Sequence, residues 1–161
     1  MHSNGKIHIR LANESDVKNI ADIVKQSFTQ YCNMIGIDAI EALLETEQDV
    51  LKDLRQKSVY VACWEKNPVG SIRIAIKSDK ASVSRFAIKP EYQGLGIGSD
   101  MLSFAEKTLE ALKIETIELY SATENCRLKN FYLSKGYQVV SIDNSKGYRR
   151  GLFRKHIYLN K

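Results

Sequence analysis

The sequence predicts one α/β domain over residues 1–161, a mixed and mostly antiparallel sheet of about seven strands with four helices. Three observations lead there. A length of 161 residues suits a single domain, and such a chain buries about 68–70% of its unfolded surface. Strand-like alternation and helix-like spacing succeed each other in the order β-α-α-β-β-β-α-β-α-β-β, a layered α/β pattern. Three consecutive strand-like stretches are joined by short, turn-rich links, so the centre of the chain reads as an antiparallel meander.

The elements follow in order. "IHIRLA", Ile7 to Ala12, alternates as a half-exposed strand does. "NESDV" offers a helix start, with Asn13 as N-cap and Asp16 three residues on. Val17, Ile20, Ala21, Val24 and Phe28 then recur at helical spacing. A second helical pattern runs from Asp38 to Arg55 through Ile40, Leu43, Leu44, Val50, Leu51 and Leu54. Ser58 to Trp64, Val69 to Ile76 and Ala81 to Ile88 are the meander strands, with "EKNPVG" and "KSDKA" as turns. The third helix is Ile97 to Leu112, its stripe made by Met101, Leu102, Ala105, Leu109 and Leu112. Thr116 to Ser121 is a short strand, and Asn125 to Lys135 a fourth helix closed by Gly136. Tyr137 to Ile142 and Leu152 to Leu159 are the closing strands.

Composition excludes several classes. Hydrophobic residues make up 43% and charged residues 27%, the balance of an ordinary globular domain. No apolar run reaches the roughly 20 residues of a membrane span. "MHSNGKIHIR" lacks the apolar centre of a signal peptide. Cys32, Cys63 and Cys126 are odd in number and widely spaced, which fits reduced thiols in a cytoplasmic protein better than disulfides or zinc. His2, His8 and His156 have no ligand spacing, so no metal is expected. A net charge of +5 suits an anionic ligand but is too mild to imply nucleic acid.

The chemistry concentrates in "YQGLGIGSDM", where Gly94, Gly96 and Gly98 precede the third helix. Glycine permits positive φ and close approach to the main chain. The first N–H groups of a helix lack intrahelical partners and carry partial positive charge, so such a loop is a candidate phosphate cradle. A P-loop fails here, because Ser99 and Asp100 follow Gly98. A dinucleotide fingerprint fails too: its last glycine would fall on Ser99 or Met101. The plain alternative is a glycine-rich turn.

"SRFAIKPEYQGLGIGSDML" and the later "ELYSATENCRLKNFYLSKGY" resemble the acyl-CoA-binding core of the GCN5-related N-acetyltransferases. The two blocks span about Ser84 to Tyr137, in the family's order and spacing. The resemblance implies an acyl-CoA N-acyltransferase fold, acetyl-CoA as co-substrate and an amine as acceptor, and it leaves a homodimer open. It implies that Gln93, Gly94, Leu95, Gly96, Ile97, Gly98 and Ser99 hold the coenzyme pyrophosphate. It further implies that Phe86, Ala87 and Ile88 lie on a bulged strand splayed from the next, whose freed backbone groups pair with the pantetheine arm and the thioester carbonyl. Many relatives carry Arg or Lys within the loop; Gly94 and Leu95 are neutral here. Asn125 and Tyr132 are seven apart and share one helix face. The resemblance makes Asn125 a partner of the pantetheine arm and Tyr132 a donor to the coenzyme sulfur. Without it, Asn125 reads as an N-cap and Tyr132 as a core aromatic.

A base for the amine is not evident. Where some relatives have Glu, this chain has Tyr120; Glu118 and Glu124 read as solvated carboxylates. Cys126 reads as a small helix residue rather than a nucleophile. Glu41, Glu45 and Glu47 fall where the resemblance places the acceptor, although acids there ordinarily form a wet helix face. "YRRGLFRKHIYLNK" reads as a turn and a solvated strand rather than a nucleic-acid patch. The competing function is a non-catalytic acyl-CoA-binding module.

Overall fold

A computed structural model describes residues 6–158. Among them are seven strands and four α-helices: β1 Ile7–Leu11, α1 Val17–Ile35, α2 Glu47–Gln56, β2 Ser58–Trp64, β3 Asn67–Lys77, β4 Lys80–Ile88, α3 Ile97–Ala111, β5 Thr116–Ala122, α4 Cys126–Ser134, β6 Gln138–Asp143 and β7 Arg150–His156. Leu159, expected at the end of the last strand, lies outside the described residues. The strands form one sheet in the order β1-β2-β3-β4-β5-β7-β6. Every neighbouring pair is antiparallel except β4 and β5. The mixed, mostly antiparallel sheet and four helices agree with the sequence expectation.

Two hydrophobic clusters lie against the sheet. The larger joins Met101, Leu102, Ala105 and Leu109 of α3 to sheet residues such as Ile72, Ile117 and Phe153. The smaller joins Ile20 and Val24 of α1 and Val50 of α2 to Val59 and Val61 of β2. Burial of these apolar faces against the sheet is what orients the helices.

Helix boundaries show where local signals were stronger than periodicity. Asn13 caps as expected: its side chain accepts from the Ser15 N–H, and Asp16 accepts from the Asn13 N–H. That cap opens a single 3-10 turn, and α1 then continues past Phe28 to Ile35. The single helix expected from Asp38 to Arg55 is instead a 3-10 turn over Glu41–Leu44 followed by α2. The break is chemical. Thr46 and Asp49 form a capping box, so a new helix starts at Glu47. At the far end of the chain, Gly136 has φ +93°. The Tyr137 N–H returns to the Tyr132 carbonyl at 3.0 Å and the Gly136 N–H to Leu133 at 3.1 Å. This Schellman closure ends α4 at Ser134, two residues beyond Tyr132.

The splay at the sheet centre positions the site. β4 and β5 pair only over Lys80–Val83 and Thr116–Leu119. Beyond that point β4 keeps β3 and β5 keeps β7, so each presents an open edge to the other. A bulge lies on the same stretch of β4: Ala87 pairs with Ser71 and Ser84 with Arg73, leaving Arg85 and Phe86 opposite Ile72 alone. Arg85 takes φ +48°, a left-handed conformation unusual for a non-glycine residue.

Candidate active site

A cavity of about 630 Å³ opens between the splayed strands. Phe86 and Ile88 of β4, the loop from Gln93 to Ser99 except Leu95, Asn125, Arg127, Phe131 and Tyr132 line one half. Phe28, Tyr31 and Met34 of α1, Glu41, Lys146, Tyr148 and Arg150 line the other, with Tyr120 and Ser121 of β5 between. Of the expected site residues, Ala87 and Leu95 do not line the cavity with their side chains: Ala87 is buried and Leu95 exposed.

In the loop, Gly94 and Gly96 take φ +80° and +86°, and Gly96 is the N-cap of α3. No N–H from Gly94 to Ser99 has a backbone partner among the described residues. Gln93 braces the loop: its side-chain amide donates to the Ile88 carbonyl at 3.0 Å. Gly98 is different. A Cβ there would meet nothing closer than 3.9 Å in the protein, so its bareness keeps open the space above the helix end. The cation missing from the loop arrives from elsewhere. Lys135 Nζ donates to Ser99 Oγ at 2.6 Å, leaving the Ser99 proton free to donate. Sequence spacing gave no sign of this, because the two residues lie 36 apart.

Asn125 takes its N-cap role and also lines the cavity. Its Oδ1 accepts from the Leu128 N–H at 3.2 Å and caps α4, while its amide nitrogen has no partner among the described residues. Tyr132 packs against Phe131, Tyr137 and Phe153, yet it also lines the cavity. Its hydroxyl makes no hydrogen bond to a described residue, and burial pushes the phenol well above its ordinary pKa. It is therefore a protonated donor without a protein acceptor.

Tyr31 occupies part of the vacated edge. Its hydroxyl accepts from the Ala122 N–H at 2.7 Å, on the side of β5 that β4 has left. Burial raises the Tyr31 pKa as well. Ser121 beside it is buried, and its hydroxyl, which slightly offsets the rise in the Tyr31 pKa, forms no well-aligned hydrogen bond to a described residue. Neither residue carried a signal in the sequence beyond its polarity.

The acids depart from expectation. Glu118 is not solvated: it is buried, paired with Arg154 and Lys80, and outside the cavity lining. Glu124 is exposed, as expected, and also lies off the cavity. Glu45 forms no wet face. It chelates the fully buried Arg73 through two bonds of 2.6 Å and bonds Arg85 Nε at 3.2 Å. Asp53 adds a third bond to Arg73 at 2.9 Å. Glu41 does line the cavity, but Lys146 Nζ holds it at 2.7 Å. Tyr120 lies under the Arg150 guanidinium, 4.0 Å from the ring centre. Cys126 is exposed and Cys32 and Cys63 are buried; all three are free thiols. The basic run near the C-terminus is engaged in pairs: Arg150 with Asp143, Arg154 with Glu118, Lys155 with Glu106. Among the described residues, no cluster of His, Cys, Asp or Glu could hold a metal ion, and no helix is long and apolar enough to cross a membrane.

An open strand edge, a bare helix start and a phenol with no acceptor among the described residues thus share one cavity. The sequence profile of the acetyltransferase (GNAT) family matches residues 19–137. The spermidine N(1)-acetyltransferase of Thermoplasma acidophilum is 25% identical over 149 residues, covering 86% of this chain and 92% of that protein. The PaiA N-acetyltransferase of Thermoplasma acidophilum, solved in complex with coenzyme A, superposes with a TM-score of 0.83 at 23% identity, covering 93% of this chain and 98% of that one. The ribosomal-protein-S18-alanine N-acetyltransferase of Escherichia coli superposes at 0.80 with 14% identity, covering 96% of each chain. The chain belongs to the acetyltransferase (GNAT) family and is an acetyl-CoA-dependent N-acetyltransferase.

Proposed function

We propose that the acceptor is a primary amine of a small molecule or protein, acetylated by direct attack while both substrates are bound. The observation that carries this reading is the unpaired Tyr132 hydroxyl in the cavity between the open edges of β4 and β5. The coenzyme pyrophosphate rests on the Gly94–Ser99 amides with Lys135 and Ser99, and the pantetheine arm pairs with the β4 edge as an added strand. Backbone N–H groups between Phe86 and Ile88 polarise the thioester carbonyl. The amine enters from the α1 side. Its nitrogen forms the new bond to the carbonyl carbon, the carbon–sulfur bond breaks, and the sulfur leaves with the electron pair.

Tyr132 donates to that developing thiolate. A thiol has a pKa near 8.5 and a free tyrosine near 10, so complete proton transfer is uphill by about 2 kcal/mol on these values. Burial raises Tyr132 further and increases that cost. The phenol is thus a hydrogen-bond donor that keeps its proton, and the thiolate takes one from water or from the acceptor nitrogen, which becomes positively charged once it has bonded to the carbonyl carbon. Among the described residues Glu41 is the only carboxylate lining the cavity, and Lys146 holds its pKa below the ordinary value, which makes it a poor base. Water removes the amine proton, so rate follows the neutral fraction of the amine.

Release of coenzyme A thiol, followed with acetyl-CoA and a panel of amines and peptides, tests the reading. Thiol release that depends on one class of amine supports it. Tight coenzyme A binding with no amine-dependent release would replace it with the non-catalytic module. The name of the curated relative brings a polyamine into the panel as one acceptor; the free thiols suit a reducing compartment such as the cytoplasm.

A further inference from the structure

The acceptor half of the cavity has a charge pattern of its own. Among the described residues, Glu41 is the only carboxylate lining the cavity. Around it stand Lys146 at 2.7 Å and the guanidinium groups of Arg85 and Arg150, near enough to help Lys146 hold the Glu41 carboxyl below its ordinary pKa. One carboxylate therefore sits among three cations from two segments of the chain: Arg85 on β4, and Lys146 and Arg150 on the β6–β7 hairpin. Glu41 is also a loosely held occupant, since its side chain is 69% exposed. Arg85 is held toward this space by the β4 bulge. Its Nε bonds Glu45, but its two terminal nitrogens have no partner among the described residues. Arg150 is fixed by Asp143 at 2.7 Å and by the face of Tyr120. Deeper in the cavity, beside Tyr31, the buried Ser121 hydroxyl has no well-aligned hydrogen-bond partner among the described residues.

This arrangement opposes a polycation. A polyamine needs several free carboxylates, and the one available is already neutralised. The same arrangement is complementary to an anion that can take the place of Glu41. Resting on the acetyltransfer reading above, we propose that the acceptor is a small primary amine bearing its own carboxylate, of the amino-acid class. Arg85, Lys146 and Arg150 bind that carboxylate in place of Glu41, and the amine is turned toward Ser121 and the thioester. An Arg guanidinium grips a carboxylate through two parallel N–H bonds, which also sets the direction of the rest of the molecule.

The test uses the full chain, acetyl-CoA and matched acceptors: α- and ω-amino acids of increasing length, their carboxamides, and diamines and spermidine. The best carboxylate acceptor should exceed its own carboxamide by roughly tenfold or more in kcat/KM, with an advantage that shrinks as salt rises. Lys146→Gln and Arg150→Gln should raise KM for the carboxylate and leave the carboxamide nearly unchanged. Glu41→Gln gives the sharper sign. Removing the resident carboxylate should lower KM for the amino acid, whereas a polyamine site would lose affinity. A polyamine or carboxamide used as well as the carboxylate overturns the proposal while acetyltransfer stands. No amine acetylated despite coenzyme A binding overturns both.

Discussion

The glycine-loop half of the cavity and the half beneath α1 differ in what their polar groups already bond. Among the described residues, the main-chain N–H groups from Gly94 to Ser99 have no backbone partner and the Tyr132 hydroxyl has no acceptor, while Gly98 leaves room above the helix. Beneath α1 the charges are paired: Glu41 with Lys146, Arg150 with Asp143, Arg85 with Glu45. One half waits for a ligand with vacant donors of fixed direction. The other must exchange an internal partner for an external one. The first arrangement favours tight, general binding of a common co-substrate. The second makes each acceptor compete with the protein's own carboxylate, which favours selection.

Beneath that second half, the Arg73 cluster is the firm base, and breaking it should produce the largest effect. Arg73→Met leaves Glu45 and Asp53 without their shared cation, and chemical denaturation should show a loss of about 3–5 kcal/mol. A near-neutral result would mean that water reaches these carboxylates. In the loop half, Gly98→Val fills the space over the α3 start. Its Cβ finds no close protein atom, so the fold should persist while calorimetry shows coenzyme A binding weakened roughly 10- to 100-fold or more. Unchanged affinity in the folded variant would remove the pyrophosphate from the loop. A smaller effect is expected at the edge of that half. Lys135→Met should weaken coenzyme A by about 3- to 10-fold, with less dependence on salt than the parent protein. Equal salt dependence in both proteins would exclude Lys135 as a phosphate partner.

The same contrast explains what was legible in the sequence. The loop half is local. Its glycines, the helix that follows and the Asn125–Tyr132 spacing all lie within short stretches, so pattern and resemblance reached them. The meander strands were legible for the same reason, and β2 begins and ends where alternation does. The acceptor half joins residues 41, 85, 146 and 150, which only the completed sheet brings together. The bulge at Arg85 has no local marker, because a residue at φ +48° looks like any other arginine in a strand. Arg73, a charged residue within the β3 stretch, carries no sequence mark of its burial, yet it is fully buried. The apolar periodicity through Leu43, Leu44 and Val50 runs across the break that Thr46 and Asp49 make, so the pattern predicts one helix where two elements form.

The central claim is that the unpaired phenol of the loop half acts on the leaving sulfur. Tyr132→Phe keeps the ring packed against Phe131, Tyr137 and Phe153 and removes only the hydroxyl. Steady-state kinetics should show kcat and kcat/KM falling together by roughly 10- to 1,000-fold, with Kd for acetyl-CoA nearly unchanged. Because burial raises the Tyr132 pKa, the parent enzyme should gain rate as the amine deprotonates and show no falling limb from this group below pH about 10. Full activity in Tyr132→Phe would contradict the account and leave Tyr132 as a packing residue.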